Sequence, residues 1–170
     1  MAANVGSVAD AEAVARAGAG GIGLLRTEFL YLNRQAAPEE QEQVAAYRAI
    51  MDALRGKPII VRTLDIGGDK PLPYVQLPVE SNPFLGLRGV RVSRQNPEML
   101  RQQFRAILRA GTGRPIRIMF PMVAAVDEMR ALRGVLNEAR EQLAREGTEG
   151  CDALQIGMMV EIPSAALLAE

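Results

Sequence analysis

The chain has 170 residues, with 20 basic and 20 acidic side chains and a formal net charge of zero. A nucleic-acid-binding domain normally carries a basic excess and often stacking aromatics, whereas aromatics make up only 4% of this chain, so we expect no nucleic-acid partner. With 48% hydrophobic residues, the chain can build its own core, and residues 1–170 are predicted to form one domain.

Cysteine usage and hydropathy predict a cytoplasmic location without membrane insertion. The single cysteine, Cys151, cannot form an internal disulfide, which is typical of a reducing compartment. The longest apolar run, residues 118–126, is interrupted by Pro121 and falls far short of the ~20 residues that span a bilayer. The amino-terminal residues lack the pattern of a signal peptide. Histidine, the commonest general base, is absent from the chain.

The chain opens with a weak strand pattern at residues 2–5 and a helix that reaches about residue 17. Ser7 is predicted to cap this helix, and Asp10, three residues later, completes a capping-box pattern. Residues 22–25 then predict a second strand.

The next helix is predicted to begin at Pro38, since the missing N–H of proline costs nothing at the first helical position. Apolar side chains at helical spacing form its buried stripe: Val44, Tyr47, Ile50, Met51 and Leu54. Residues 59–64 predict a third strand. The connection at 65–86 is rich in proline and glycine, and its length predicts a mobile loop.

The second half of the chain repeats the alternation. Asn96 is predicted to cap a helix that ends at Gly111. A strand, a long helix, a strand and the start of a last helix follow, at residues 116–120, 127–146, 155–160 and from 163 onward.

Alternating strands and helices indicate an α/β fold with a parallel sheet. The strands read as short apolar runs, which is typical of a sheet covered on both faces. Two architectures remain open from this pattern. One is a doubly wound open sheet, and the other is a (β/α)₈ barrel, which needs about 250 residues and would be incomplete here.

Charged residues collect where the predicted strands end. Arg26 and Glu28 follow the second strand, Arg62 and Asp65 lie at the end of the third, and Glu161 follows the fifth. In parallel α/β proteins chemistry occurs at this edge. Guanidinium groups suit phosphate and carboxylate oxygens, and a carboxylate beside them can bind Mg²⁺ together with a substrate phosphate. The pattern predicts a site for a small phosphorylated acid and a divalent metal.

Structural ion pairs offer another interpretation of these residues. Arg26 could pair with Glu28, Arg62 with Asp65, and Glu161 with an arginine of the same edge. Because the charges follow three strands that end at one edge, we favour the functional interpretation. Other features predict no further site: Asp69 and Lys70 add charge to the loop after the third strand, and Lys70 is best interpreted as solvated. Gly18, Gly20 and Gly23 precede a strand, which is the wrong context for a dinucleotide site.

Five segments in series carry a resemblance to a known family: GLLRTEFL at 23–30, VRTLDIGGDK at 61–70, NPFLGLR at 82–88, IMFPM at 118–122 and GMMVEIP at 157–163. Together they resemble the phosphoenolpyruvate-binding domain of enzyme I of the bacterial sugar phosphotransferase system. The resemblance extends over essentially the whole chain.

The resemblance implies a partial (β/α)₈ TIM barrel that contains about the first five βα units. It also implies roles for individual residues. The arginines matching Arg26 and Arg62 hold the phosphate of phosphoenolpyruvate in the family, and the one matching Arg88 lies near the same site. The glutamate matching Glu161 binds Mg²⁺. No catalytic residue is assigned within the chain.

The reaction implied by the resemblance transfers the phosphoryl group of phosphoenolpyruvate to a histidine on a separate, mobile domain and leaves pyruvate, as the first step of sugar uptake. The implied partners are a histidine-containing phosphocarrier protein and a second subunit in a homodimer. The acceptor histidine, a second metal-binding aspartate, a further substrate arginine and a catalytic cysteine of the family have no match here, and Cys151 does not correspond to that cysteine. We therefore expect a part of a longer enzyme that is inactive alone.

Alternatives remain open at this stage. Pyruvate phosphate dikinase and phosphoenolpyruvate synthase share the domain, and an ATP-grasp region before it would identify them. A non-catalytic module with a vestigial site is the third possibility, and the length of the open reading frame would decide. The sequence does not distinguish sugar-type, nitrogen-type and multidomain fructose-type enzymes.

Overall fold

A computed structural model describes residues 1–67, 72–83, 85–151 and 154–169. The first half contains β1 (Ala3–Val5), α1 (Val8–Arg16), β2 (Ile22–Leu25), a 3₁₀ turn (Glu28–Leu30), α2 (Glu40–Ala53) and β3 (Ile59–Arg62). The second half contains α3 (Val90–Gln95), α4 (Pro97–Ala110), β4 (Ile116–Phe120), α5 (Val126–Arg145), β5 (Gln155–Met158) and α6 (Pro163–Leu167).

The strands form one parallel sheet in the order β1-β2-β3-β4-β5. This confirms the predicted α/β fold with strands and helices alternating along the chain. Each strand pairs with the next one in sequence, so the order shows no reversal of the kind that defines a doubly wound sheet. The topology is compatible with a partial barrel.

The four longer helices pack in series on one face of the sheet, where α1 contacts α2, α2 contacts α4 and α4 contacts α5. Phe104 of α4 meets Phe120 of β4 edge to face, with ring centroids 6.0 Å apart. Because side chains alternate along a strand, Ile116 and Ile118 face the helices together with Phe120, and all three are buried. The main core lies between the sheet and these helices.

The opposite face of the sheet is more polar than the sequence predicts. Arg117 of β4 and Gln155 of β5 are register partners on this face, and both are exposed. The expectation of apolar strands covered on both faces is therefore wrong for the described residues. Arg62 lies on the same face, opposite Met119, at the carboxyl end of β3.

Local capping follows the sequence in part. Ser7 Oγ accepts a hydrogen bond from the Asp10 amide at 3.1 Å, as predicted, but the Asp10 carboxylate accepts from Gly6 N at 2.9 Å rather than from Ser7 N. The start predicted for α2 is wrong by two residues, because α2 begins at Glu40. The Pro38 carbonyl instead accepts a hydrogen bond from Gln43 Nε2 at 3.1 Å.

The connection after β3 contains an element that the sequence did not predict, the short helix α3. Its six residues are too few for a hydrophobic period to be recognised. Before it, Gly89 N donates to Ile66 O at 2.9 Å, so the two ends of the connection lie side by side. Asp69 and Lys70 lie outside the described residues, and the predicted mobility of the segment stays a prediction. Within the described ranges, no helix has the length and apolar character needed to cross a membrane.

Candidate functional site

Arg62, the last residue of β3, lies at the carboxyl edge of the sheet and is only 6% exposed. Two carboxylates hold its guanidinium group. Nη2 donates to Glu28 Oε1 from the turn after β2, and Nη1 lies 3.2 Å from Asp65 Oδ2. The strand end therefore carries a cation between two anions, each supplied by a different strand exit.

Asp65 also binds Arg88, which lies just before α3. Arg88 Nε is 3.2 Å from Asp65 Oδ1, and Arg88 Nη2 is 3.4 Å from Asp65 Oδ2. Arg88 is 8% exposed. Glu28, Arg62, Asp65 and Arg88 thus form a buried chain of alternating charges, which we call the rim network. The structure brings two of the three predicted substrate arginines onto one carboxylate.

Burial explains why the charges of the rim network alternate. A buried charge is tolerated only when it is paired and hydrogen-bonded, and removing one partner of a buried pair typically costs about 3–5 kcal/mol. One hydrogen-bond donor of the rim network is not satisfied: Arg62 Nε is buried and has no acceptor among the described residues. Leaving such a donor without a partner costs about 1–3 kcal/mol, which is unusual enough to suggest a missing acceptor.

Arg26, the third predicted substrate arginine, differs from the other two. It follows β2, its backbone N donates to Val5 O at 2.9 Å, and its side chain is exposed. Its guanidinium makes no ion pair within the described part of the chain. The proposed Arg26–Glu28 pair is thus wrong, since Glu28 binds Arg62, whereas the Arg62–Asp65 pair does form. Arg26 is the exposed arginine beside the rim network on the neighbouring strand exit.

Glu161 follows β5 and is exposed. Its Oε1 accepts a hydrogen bond from the Met122 amide at 2.7 Å, and it forms no ion pair with Arg26, Arg62 or Arg88 in the described residues. The alternative of a buried ion pair between Glu161 and an arginine is therefore wrong. Met122, just after β4, has a φ of 58°, which is rare for a side chain with a Cβ, and the Glu161 carboxylate satisfies its amide.

Gly89 connects Met122 to the rim network. Its φ is 55°, and a Cβ at this position would lie 2.9 Å from Met122 Cγ and 3.3 Å from Asp65 Oδ1. Only glycine fits there without displacing one of the two. The Met122 side chain therefore lies close to Asp65, and the residue held by Glu161 adjoins the carboxylate that holds both buried arginines.

The donor set at this edge fits one carboxylate ligand for Mg²⁺. In the described part of the chain, no group of three or more His, Cys, Asp or Glu side chains could hold a metal. Glu28 and Asp65 bind arginines, which leaves Glu161 with its exposed carboxylate. Mg²⁺ commonly binds through one or two carboxylates, waters and substrate phosphate oxygens, so a single glutamate is chemically sufficient as the contribution of these residues.

A second buried polar group lies beneath the rim network and was missed by sequence reasoning. Gln103 of α4 accepts a hydrogen bond from Leu64 N at 3.1 Å and donates to Thr27 Oγ1 at 3.1 Å and to Tyr47 Oη at 3.2 Å. Burial raises the pKa of Tyr47 well above its ordinary value, with a smaller contribution from the Glu28 carboxylate, so the phenol stays neutral. The available signal was a glutamine within the apolar stripe of α4.

Comparison with known proteins identifies one family and a set of similarly named relatives. The family described as "PEP-utilising enzyme, PEP-binding domain" matches residues 1–170. Proteins named phosphoenolpyruvate-protein phosphotransferase from Staphylococcus carnosus, Geobacillus stearothermophilus and Listeria monocytogenes are 52%, 50% and 49% identical to the chain over 170 residues. Each alignment covers 100% of this chain but only 29–30% of the relative.

Proposed function

The chain belongs to the PEP-binding domain family of the PEP-utilising enzymes, and we propose that it forms the phosphoenolpyruvate site of a phosphoenolpyruvate-protein phosphotransferase, the enzyme I of the bacterial sugar phosphotransferase system. The enzyme moves the phosphoryl group of phosphoenolpyruvate to a protein histidine and releases pyruvate. The 170 residues contain no histidine, so the acceptor lies outside them.

The observation that carries this proposal is the convergence of Arg62 and Arg88 on Asp65 at the carboxyl edge of the sheet. The two arginines come from opposite ends of the connection after β3, yet one carboxylate orients both. With their mutual geometry set before a ligand arrives, little reorganisation is needed for binding. A guanidinium group carries five N–H donors, and in Arg62 the Nε donor is not used by Glu28 or Asp65.

Arg26 and Arg62 are proposed to bind the substrate phosphate, with Arg88 beside them. Arg26 is exposed and unpaired within the described residues, so all N–H donors of its guanidinium group can bind an anion. The buried Nε of Arg62 has no acceptor among the described residues, and a phosphate oxygen that reached this nitrogen would satisfy it. Phosphoryl transfer depends mainly on such positioning and on charge neutralisation.

Mg²⁺ is the proposed cofactor, and Glu161 is its proposed ligand from this chain. A bound Mg²⁺ would neutralise charge on the substrate oxygens. The protein contributes by orienting the carboxylate: the Met122 amide donates a hydrogen bond to Glu161 Oε1. The other oxygen, Oε2, has no hydrogen-bond partner among the described residues and is available to a metal ion. Glu28 and Asp65 bind arginines, which supports Glu161 over these two carboxylates as the ligand.

A partial TIM barrel is the proposed architecture for residues 1–170 as one domain. Two observations support it: the strands follow one another in sequence order, and the long helices pack in series on one face. In a closed barrel the opposite face, with Arg117 and Gln155, would point to the interior. The edge that carries Arg26, Arg62 and Glu161 would then be the carboxyl-terminal rim, where barrel enzymes hold their active sites.

The proposed partners are those of a complete enzyme I: a histidine-containing phosphocarrier protein and a second enzyme subunit. These proposed partners are inferred from the names of the similar proteins. The chain spans 29–30% of the length of those relatives. The proposed cytoplasmic location rests on the cysteine count, because the single cysteine, Cys151, is buried and cannot form an internal disulfide. The same names favour the phosphotransferase over a dikinase or a synthase.

The experiment that tests this function follows pyruvate release from phosphoenolpyruvate by the complete polypeptide that carries these residues. We expect turnover that requires Mg²⁺ and phosphocarrier protein and that is indifferent to adenine nucleotides. Turnover that requires AMP or ATP would identify a dikinase or a synthase. Absence of pyruvate release in a folded, complete protein would identify a non-catalytic module.

A further inference from the structure

We propose that Gln103 is a positioning residue of the phosphoenolpyruvate site, which fixes the ends of β2 and β3 relative to each other and thereby sets the spacing of Arg26 and Arg62. The inference rests on the proposed function above. Gln103 lies in the middle of α4, on the side that faces the sheet, and is only 1% exposed. It touches no proposed substrate-binding side chain, so its effect is transmitted through its neighbours.

The contacts of Gln103 reach both strand exits. Its Oε1 accepts from Leu64 N, and its Nε2 donates to Thr27 Oγ1, each at 3.1 Å. The Thr27 hydroxyl in turn donates to the carbonyl oxygen of Arg62 at 3.0 Å. A continuous hydrogen-bonded path therefore runs from α4 through Thr27 to the backbone of Arg62, and a second bond holds the chain beyond it.

The positions that Gln103 holds are adjacent in sequence to the site residues. Thr27 lies between Arg26 and Glu28, and Leu64 precedes Asp65. A shift of either backbone segment would move one arginine against the other. Misplacement of catalytic groups by about 1 Å can cost about 10²-fold in rate, even when the altered residue is remote from the chemistry.

An amide is well suited to this position. Both of its ends are used, one as an acceptor for a backbone N–H and the other as a donor to two hydroxyl groups, Thr27 Oγ1 and Tyr47 Oη. An apolar side chain of the same size would fill the space but satisfy none of these groups. The buried Leu64 N–H would then lack its partner, which favours a rearranged strand end.

Gln43 provides a matched control in the same molecule. It is a buried glutamine on the neighbouring helix α2, with 0% exposure. It accepts from Tyr31 Oη at 2.9 Å and donates to Pro38 O at 3.1 Å, and among the described residues it makes no hydrogen bond to Thr27, Arg62 or Leu64. Replacing Gln43 by methionine removes comparable buried hydrogen bonds without touching the residues beside Arg26 and Arg62.

The test compares Gln103→Met with Gln43→Met in the complete polypeptide. Both variants should lower the free energy of unfolding, but only Gln103→Met should reduce kcat/KM for phosphoenolpyruvate, by about tenfold to a hundredfold. Only Gln103→Met should also speed amide exchange at Leu64. Equal kcat/KM values in the two variants would overturn the inference. The wild-type enzyme separates the two claims, since failure of wild-type turnover counts against the proposed function alone.

Substitutions at Thr27 keep the inference testable if Gln103→Met does not fold. Thr27→Val keeps the shape and removes the hydroxyl that links Gln103 to Arg62, whereas Thr27→Ser keeps the hydroxyl. We expect Thr27→Val to reduce kcat/KM and Thr27→Ser to recover most of the loss. If valine and serine at this position give the same kcat/KM, the path from Gln103 to Arg62 plays no part in positioning and the inference is wrong.

Discussion

At the residue scale, the arginines of the site differ in how deeply they are buried, and this decides what a substitution measures. Arg62 lies between Glu28 and Asp65 inside the rim network, whereas Arg26 is exposed beside it. Removal of Arg62 therefore changes both ligand binding and folding, because two carboxylates lose their cation. Removal of Arg26 reports on binding without this second effect.

We predict that Arg62→Ala lowers the free energy of unfolding by about 3–5 kcal/mol, because it leaves buried charges unpaired. Arg26→Ala should stay within about 0.5 kcal/mol of the wild type, as expected for an exposed side chain that forms no ion pair with any described residue. Urea unfolding at neutral pH measures both variants. A small effect of Arg62→Ala would mean that Glu28 and Asp65 are not held by this arginine in solution.

Glu161→Gln separates charge from geometry at the proposed metal ligand. The amide oxygen can still accept the Met122 N–H, so the thermal midpoint should change little. The loss of the carboxylate charge should raise the Mg²⁺ concentration needed for half-maximal pyruvate release about tenfold or more, since bonds to charged groups contribute about 1.5–3 kcal/mol.

Glu12→Gln is the control for Glu161→Gln, because Glu12 is an exposed carboxylate on α1 that pairs with Arg16, far from the proposed metal site in sequence. Its Mg²⁺ requirement should equal that of the wild type. If Glu161→Gln shows the same requirement as this control, Glu161 is not a metal ligand.

At this scale the sequence predicts which charged residues lie at the strand ends and one of their pairs, Arg62 with Asp65, but not the pair of Arg62 with Glu28. Arg62 and Glu28 are both visible as charges at strand ends, yet their pairing depends on two strands lying side by side. Arg88 could be assigned only by resemblance to the family. Gln103 was missed because a single polar residue in an apolar helical stripe is usually attributed to packing rather than to a hydrogen-bonded role.

At the scale of elements, the entry to α3 brings the backbone close to the site, and this approach requires Gly89. We predict that Gly89→Ala reduces kcat/KM for phosphoenolpyruvate and lowers stability, because a Cβ would press on Met122 and Asp65. Pyruvate release and thermal unfolding measure the two effects.

Gly113→Ala is the matched control for Gly89→Ala. Gly113 also has a positive φ, 70°, but a Cβ there would meet nothing within 4 Å. Backbone strain alone should therefore lower stability in both variants, whereas the loss of kcat/KM should be confined to Gly89→Ala. Equal catalytic constants for the two variants would show that the close approach at Gly89 has no role in the site.

Elements with a clear period were predictable, and the others were not. The buried stripe of α2 follows from spacing alone, and each strand begins within a residue of its predicted start. The helix α3 could not be predicted from the sequence, since a six-residue helix depends on tertiary contacts such as the hydrogen bond from Gly89 N to Ile66 O. Pro38 also differs from its prediction, since it lies two residues before the start of α2. Its carbonyl accepts a hydrogen bond from the Gln43 side chain.

At the scale of the whole molecule, the sheet leaves apolar side chains exposed near β5 and α6. Val160, Leu167 and Leu168 are 58%, 82% and 59% exposed, and the edge of β5 has no strand beside it in the described residues. Such edges favour pairing with another chain. We predict that the 170-residue chain alone self-associates, as measured by sedimentation velocity across a concentration series. A monomer at every concentration would contradict this.

The alternation that gives the α/β class could be predicted from the sequence, because strands and helices differ in period. The choice of a partial barrel came only from the family resemblance, since local patterns do not set strand order. The polar face with Arg117 and Gln155 was not foreseen either, because an arginine within an apolar strand run is ambiguous until its face is known.

The most direct test of the central claim measures the dissociation constant of phosphoenolpyruvate, in the presence of Mg²⁺, for the complete polypeptide by titration calorimetry. Arg26→Ala is compared with Arg16→Ala, an exposed arginine in the last turn of α1, at the opposite edge of the sheet. We predict that Arg26→Ala raises the dissociation constant about tenfold or more, as expected for one lost charge-assisted bond, with no loss of stability. Equal dissociation constants for the two variants would contradict the placement of the phosphate at the carboxyl edge.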